Sequence, residues 1–149
     1  MRPAHVDKII GDATELAVRD VVAEFFDDSN LEKQEEYCVI DFIGDKYNYE
    51  IKTVQFPYGQ YKHVLITEGK LNRYHNNYDK DLYLIYKFSD ESIYYIKYDK
   101  AQFSKFEIRD VRRTDRIVPD KPILHRYIPL KSLKQLREKV HRCLIDFEA

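Results

Sequence analysis

The sequence predicts an α/β fold, a three-layer α/β/α sandwich around a central mixed sheet of about four to five strands. Three observations point there. Apolar residues recur at helical spacing near both ends of the 149-residue chain, over 4–26 and 130–146. Between them lies a strand–turn–strand stretch at 36–54, rich in Tyr, Val, Ile and Phe. A helical segment at 67–77 then separates that hairpin from two further strands, at 81–88 and 93–98.

Each element follows from its residues. In the first helix Val6, Ile9, Ile10, Ala13 and Ala17 form a stripe that drifts to Val18, Val21, Val22 and Phe25. Asp27-Asp28-Ser29-Asn30 ends it with turn formers, and 31–36 is a short charged connection. In the hairpin, Gly44-Asp45 is a turn dipeptide of the type II′ kind, with the two-residue loop at 44–45 or 45–46. Phe56–Gln60, containing Pro57 and Gly59, is a loop. Thr67 is the expected cap of the next helix, which stops at Asn76-Asn77. The run Asp81–Phe88 is largely apolar, as a central strand would be. Ser89–Ser92 turns into the strand at 93–98. Residues 99–127 are mixed: Phe106–Val111 reads as strand or helix, and Pro119 and Pro122 mark a loop. Leu130, Leu133, Leu136, Val140 and Leu144 are the stripe of the last helix. No repeat, low-complexity stretch or linker divides the chain, so residues 1–149 read as one domain.

The hairpin carries the chemistry. Side chains alternate along a strand, and opposed residues of an antiparallel pair point the same way. Either loop register therefore converges Asp41, Glu50 and Lys52 on one face, and sets Cys38, Ile40, Phe42, Tyr47, Tyr49 and Ile51 on the other. Two carboxylates a few ångströms apart repel each other unless a cation or proton sits between them. Hard oxygen ligands of this kind suit Mg²⁺ or Mn²⁺. A neighbouring lysine can orient or deprotonate a water, or neutralise charge building on a phosphate. Together these groups equip a face for metal-assisted phosphodiester hydrolysis. The competing reading is a solvated strand face with a cross-strand ion pair. Acid-x-lysine alone is weak, since roughly two or three such triplets arise by chance in a chain this charged. A second one, Glu68-Gly69-Lys70, has no strand-borne acid just upstream.

In Asp41 and Glu50-Ile51-Lys52 the chain resembles the PD-(D/E)XK nuclease superfamily, whose core pattern is an acid at the end of one strand and E-x-K or D-x-K on the next. Ile40 stands where that pattern usually has proline. The group often adds a glutamate on the first helix; Glu15 is the best positional match, with an ordinary surface glutamate as its alternative. The resemblance implies a restriction-endonuclease-like fold and a divalent-metal-dependent nuclease acting on DNA rather than RNA. It implies Mg²⁺ or Mn²⁺ held by Asp41, Glu50 and the carbonyl oxygen of Ile51, with Lys52 positioning or activating the attacking water. It also implies products ending in 5′-phosphate and 3′-hydroxyl. Single-domain members of this size include junction resolvases and phage or mobile-element endonucleases, often dimeric, so a homodimer is an expectation here.

Composition narrows the setting. The chain is 44% apolar and 34% charged, an ordinary globular balance. No apolar run approaches the ~20 residues needed to span a bilayer, and the N-terminal residues hold no signal-peptide core. Two cysteines, Cys38 and Cys143, are unpatterned; Cys38 reads as a core residue of the hairpin. An intracellular, cytoplasmic setting fits them, and they are too few for the four-cysteine iron–sulfur cluster that some nucleases of this group carry. The five histidines show no ligand spacing, which argues against zinc.

Net charge is only −1, but it is unevenly spread. Residues 1–50 hold 13 acids and 5 bases; residues 100–142 hold 13 bases and 5 acids. An acidic half with metal ligands and a basic half with phosphate contacts is a sensible division. The nucleic-acid candidates are Lys62, Lys70 and Arg73, and the cluster Arg109, Arg112, Arg113 and Arg116; the bland reading is a solvated basic surface. Of the 13 tyrosines, Tyr58, Tyr61, Tyr74 and Tyr78 lie just after the hairpin, placed either to stack on bases or simply to pack. Two other function classes stay open. One is a catalytically inactive nuclease-fold module that binds nucleic acid or a protein; the other is a structural viral or plasmid protein.

Overall fold

The structure, a computed structural model, describes residues 4–35, 37–111 and 123–136. In chain order they form α1 (Ala4–Phe26), β1 (Glu32–Lys33), β2 (Phe42–Ile43), β3 (Asn48–Thr53), β4 (His63–Thr67), α2 (Glu68–Asn77), β5 (Leu82–Lys87), β6 (Ile93–Lys97), α3 (Lys100–Phe103), β7 (Glu107–Val111), β8 (Ile123–Pro129) and β9 (Lys134–Gln135), with a 3₁₀ turn at Leu130–Ser132. Among these residues the strands make a mixed six-stranded sheet, β1-β2-β3-β5-β6-β9, and a three-stranded sheet, β4-β8-β7. The hairpin partner β2 runs antiparallel to β3, while β5 lies parallel on its other side. A parallel neighbour requires a crossover, and β4 with α2 supplies it.

Alternation sorts the faces of the large sheet. Tyr49, Ile51, Ile85 and Ile93 cluster with Val18 and Val22 of α1. Leu82, Leu84, Tyr86 and Ile96 cluster with Leu71 and Tyr74 of α2, Val64 and Ile66 of β4, and Ile128 of β8. Both sides of β5 are thus covered, which is why its run is largely apolar; each such buried side chain contributes about 1.5–3 kcal/mol. The layers are α1, the large sheet, and then α2 together with the small sheet. The α/β class and the mixed sheet match expectation. The sheet has more strands than expected, and one outer layer is partly a second sheet rather than helix alone.

The C-terminal end of α1 fixes the hairpin. Asp27 adopts φ 50°, its N–H reaching Glu24 O at 3.3 Å and the Asp28 N–H reaching Ala23 O at 3.0 Å, a Schellman closure of the helix. This turn swings the buried Asp28 carboxylate into the hairpin loop, where it accepts from the N–H groups of Asp45 (2.9 Å), Lys46 (3.2 Å) and Tyr47 (3.2 Å) and from the Tyr49 hydroxyl (2.9 Å). A Cβ on Gly44 would lie 2.1 Å from Asp28 Oδ2. Glycine is therefore required here for close approach. It does not serve the type II′ turn: the loop is Asp45-Lys46, closed by the Gly44 N–H on Tyr47 O at 2.9 Å, and Gly44 has no positive φ.

Other expectations change too. Residues 130–135 are not the start of an α-helix: they form the 3₁₀ turn and β9, and Leu136 is the first helical residue. Leu130, Leu133 and Leu136 are nonetheless all buried. Cys38 is exposed, not core, and Ile40 joins the cluster on the α2 side rather than the α1 side. Regular β2 pairing starts only at Phe42, so strict alternation does not extend upstream. Ala17 is exposed on α1. The stretch 106–111 resolves as strand β7 over Glu107–Val111. The expected loop at Pro119 and Pro122, residues 137–146 of the expected last helix, and Cys143 lie outside the described residues.

Candidate active site

Asp41 sits just before β2 with its main chain pinned on both sides. Its N–H donates to Tyr49 O at 3.1 Å and its carbonyl accepts from Gln34 N at 2.8 Å. Its carboxylate Oδ2 accepts the Ile51 N–H at 2.7 Å. A strand residue's N–H and C=O lean toward the same neighbour, so the Ile51 carbonyl also lies on the Asp41 side of β3. Glu50 and Lys52 flank Ile51 and point to the α2 face. The hairpin register, Phe42 opposite Tyr49, is the 45–46 loop option, and it produces the convergence that alternation requires.

Glu50 is buried, at 3% exposure. Its Oε1 meets the Lys70 ammonium at 2.5 Å and the Lys52 ammonium at 3.7 Å. Its Oε2 is buried with no hydrogen-bond partner among the described residues. Burial lifts the Glu50 carboxyl above the usual range, and the charge of Asp41 adds to this against Lys70 and Lys52. Burial also lifts Asp41, opposed by the Ile51 N–H and by the charges of Lys70, Lys52 and Lys33. Beside them the Tyr86 phenol is pushed up by burial first and by the Glu50 charge second. Its hydroxyl donates to Leu65 O at 3.1 Å. Lys52 keeps 41% of its side chain exposed, so its ammonium faces both Glu50 and solvent.

The structure brings Asp41, Glu50, Ile51 and Lys52 together. Glu15 stands one residue further out: its Oε2 is 3.8 Å from the Lys33 ammonium on β1, and Lys33 is near enough to act on Asp41. Lys33 was not foreseen in the sequence, because a charged two-residue strand carries no pattern. Lys70 was foreseen only as a phosphate contact; its ammonium instead turns inward to Glu50. The triplet Glu68-Gly69-Lys70 splits across the first turn of α2. Glu68 takes a forked pair from Arg126 of β8, at 2.7 and 3.1 Å. Lys62 and Arg73 are exposed. Arg109 is exposed too, paired with Glu107 at 2.7 Å and lying 4.9 Å from the Tyr127 ring centre. Arg112, Arg113 and Arg116 lie outside the described residues. Among the described residues no set of three or more His, Cys, Asp or Glu side chains is gathered for a metal, and no helix is long and apolar enough to cross a membrane.

No protein-family profile matches the chain, and no curated protein matches it in sequence. The functional reading therefore rests on the site itself.

Proposed function

We propose that the chain is a divalent-metal-dependent nuclease of the PD-(D/E)XK kind that hydrolyses DNA phosphodiester bonds, with phage or mobile-element endonucleases and junction resolvases as its nearest functional types. The observation that carries this reading is the buried Glu50 beside the half-buried Asp41, with one Glu50 oxygen that has no hydrogen-bond partner among the described residues. A buried carboxylate oxygen with no partner is costly. The donor set fits a hard cation: Mg²⁺ is commonly held by one or two carboxylates, completed by water and substrate phosphate. Asp41, Glu50 and the Ile51 carbonyl would hold it, and when bound it supplies Lewis-acid stabilisation of phosphate charge. Lys52, half in solvent, orients the attacking water or meets the charge developing on the phosphate. Glu15 reaches toward this centre through its pair with Lys33.

The reading is tested by incubating the protein with linear, circular, single-stranded and branched DNA in Mg²⁺, Mn²⁺ or chelator. Cleavage is expected only with metal, and Asp41→Ala or Glu50→Ala should abolish it while leaving the fold intact. Cleavage that persists in chelator, or in both variants, removes the assignment.

One observation favours a second reading, that of an inactive nuclease-fold binding module: Lys70 already supplies Glu50 with a cation. On that reading Mg²⁺ gives no thermal shift and no cleavage in any of these assays.

A further inference from the structure

Tyr58, Tyr74 and Tyr78 each have one ring face covered by another ring. Tyr58 stacks on Tyr94 at 3.9 Å, and Tyr74 stacks on Tyr78 at 4.9 Å. Tyr61 differs. It is 56% exposed and touches the Phe56 ring edge-on, with centres 4.7 Å apart. Both rings border a groove of about 550 Å³ between the end of β3 and strands β4 and β8, within the usual range of about 300–1,000 Å³ for ligand clefts. Tyr127 lines its far wall. The groove begins at Lys52, so it is continuous with the candidate active site.

Its chemistry is selective. The lining is largely apolar and aromatic, its charged groups are Lys52 and Lys62, and it contains no aspartate or glutamate. A DNA duplex offers phosphates and polar base edges and hides its base faces in the stack, so rings and aliphatic walls gain little from it. An unpaired base exposes a π face that stacks on aromatic side chains whatever its sequence, while lysines take the adjoining phosphates. The geometry points to a subsite for one unpaired nucleotide beside the scissile phosphate, with its base against Tyr61 and its phosphates between Lys62 and Lys52. The substrate class is then DNA carrying a single-stranded segment, such as an overhang, flap or branch. This inference rests on the nuclease reading for its role, but the groove can be tested without cleavage.

The test uses the full chain in chelator, so that no strand is cut. A short single strand and a blunt duplex of the same length are compared by fluorescence anisotropy, and a strand carrying a fluorescent base analogue reports stacking by quenching. The wild type should prefer the single strand and quench the analogue. Tyr61→Ala should weaken single-strand binding about tenfold, leave duplex binding unchanged and abolish quenching; Tyr61→Phe should restore both. Lys62→Ala should weaken both substrates. Equal losses on strand and duplex in Tyr61→Ala, or no quenching by the wild type, overturn the subsite even if metal-dependent cleavage is found. Selective loss and quenching without cleavage in Mg²⁺ or Mn²⁺ uphold the subsite and defeat the nuclease reading instead.

Discussion

Glu50 and Asp41 are each harder to ionise in the folded protein than in the unfolded chain, chiefly through burial. The sign of the consequence follows from proton linkage. As pH falls from neutral through the raised native values toward the ordinary carboxylate range, the native state takes up protons that the unfolded chain does not. These two groups therefore oppose folding most at neutral pH and progressively less as pH falls. In metal-free buffer Glu50→Gln should be more stable than wild type at neutral pH, with the gap closing toward pH ~4. Urea midpoints of both proteins across pH check this; a constant gap means that Lys70 fully offsets the Glu50 charge. Mg²⁺ should reverse the order. At a hundredfold excess over its dissociation constant it adds about 2.7 kcal/mol to the wild type by mass action, and little to Glu50→Gln, which differential scanning calorimetry would separate.

At the scale of elements, the hairpin depends on a carboxylate outside it. Asp28 satisfies three loop N–H groups and the Tyr49 hydroxyl in a buried position. Hydrogen bonds to a buried charged group are worth about 1.5–3 kcal/mol each, though not additively. Asp28→Ala should cost more than about 3 kcal/mol in chemical denaturation and should also weaken metal binding, because the Asp41–Glu50 register hangs on this loop; a loss below about 1 kcal/mol would mean that water replaces the carboxylate. The strands Asn48–Thr53 and Leu82–Lys87 were legible because pattern and turn signals agreed, and so was the convergence of Asp41 with Glu50. The clamp was not, since Asp28 looked like one turn former among four. Strand β4 was also missed: it runs straight into α2 at Glu68 with no turn residues between them. Strand β8 has mostly exposed or half-buried residues and ends at Pro129, so it shows no clean alternation. Lys70 belongs to the site through the packing of α2 on β3, a long-range fact that no local spacing encodes.

Across the whole molecule the charge division bears on how DNA would reach the site. Residues 1–50 carry 13 acids against 5 bases, and they include both candidate metal-binding carboxylates. Phosphate must therefore be drawn by the basic remainder, where 13 bases face 5 acids within 100–142. Not every arginine there is available. Arg109 is engaged by Glu107 at 2.7 Å, and Arg126 is forked to Glu68 in a largely buried pair, so reversing Arg126 would disturb the protein before it disturbed DNA. Arg112 and Arg113 are the better test, adjacent in sequence and suited as guanidinium forks to phosphate oxygens. Each phosphate contact releases a counterion and adds about 0.9 to the slope of log affinity against log salt on duplex DNA. Reversing both to Glu should therefore weaken duplex binding at low salt regardless of sequence and flatten that slope by about 2. The rival reading makes them surface partners of Asp110 and Asp115, where exposed ion pairs are worth about 0–1 kcal/mol and leave the slope untouched. A salt titration in chelator separates the two. An unchanged slope would move the phosphate track to Lys62 and Arg73, both exposed. The same titration on Lys62→Glu/Arg73→Glu protein should then show the loss.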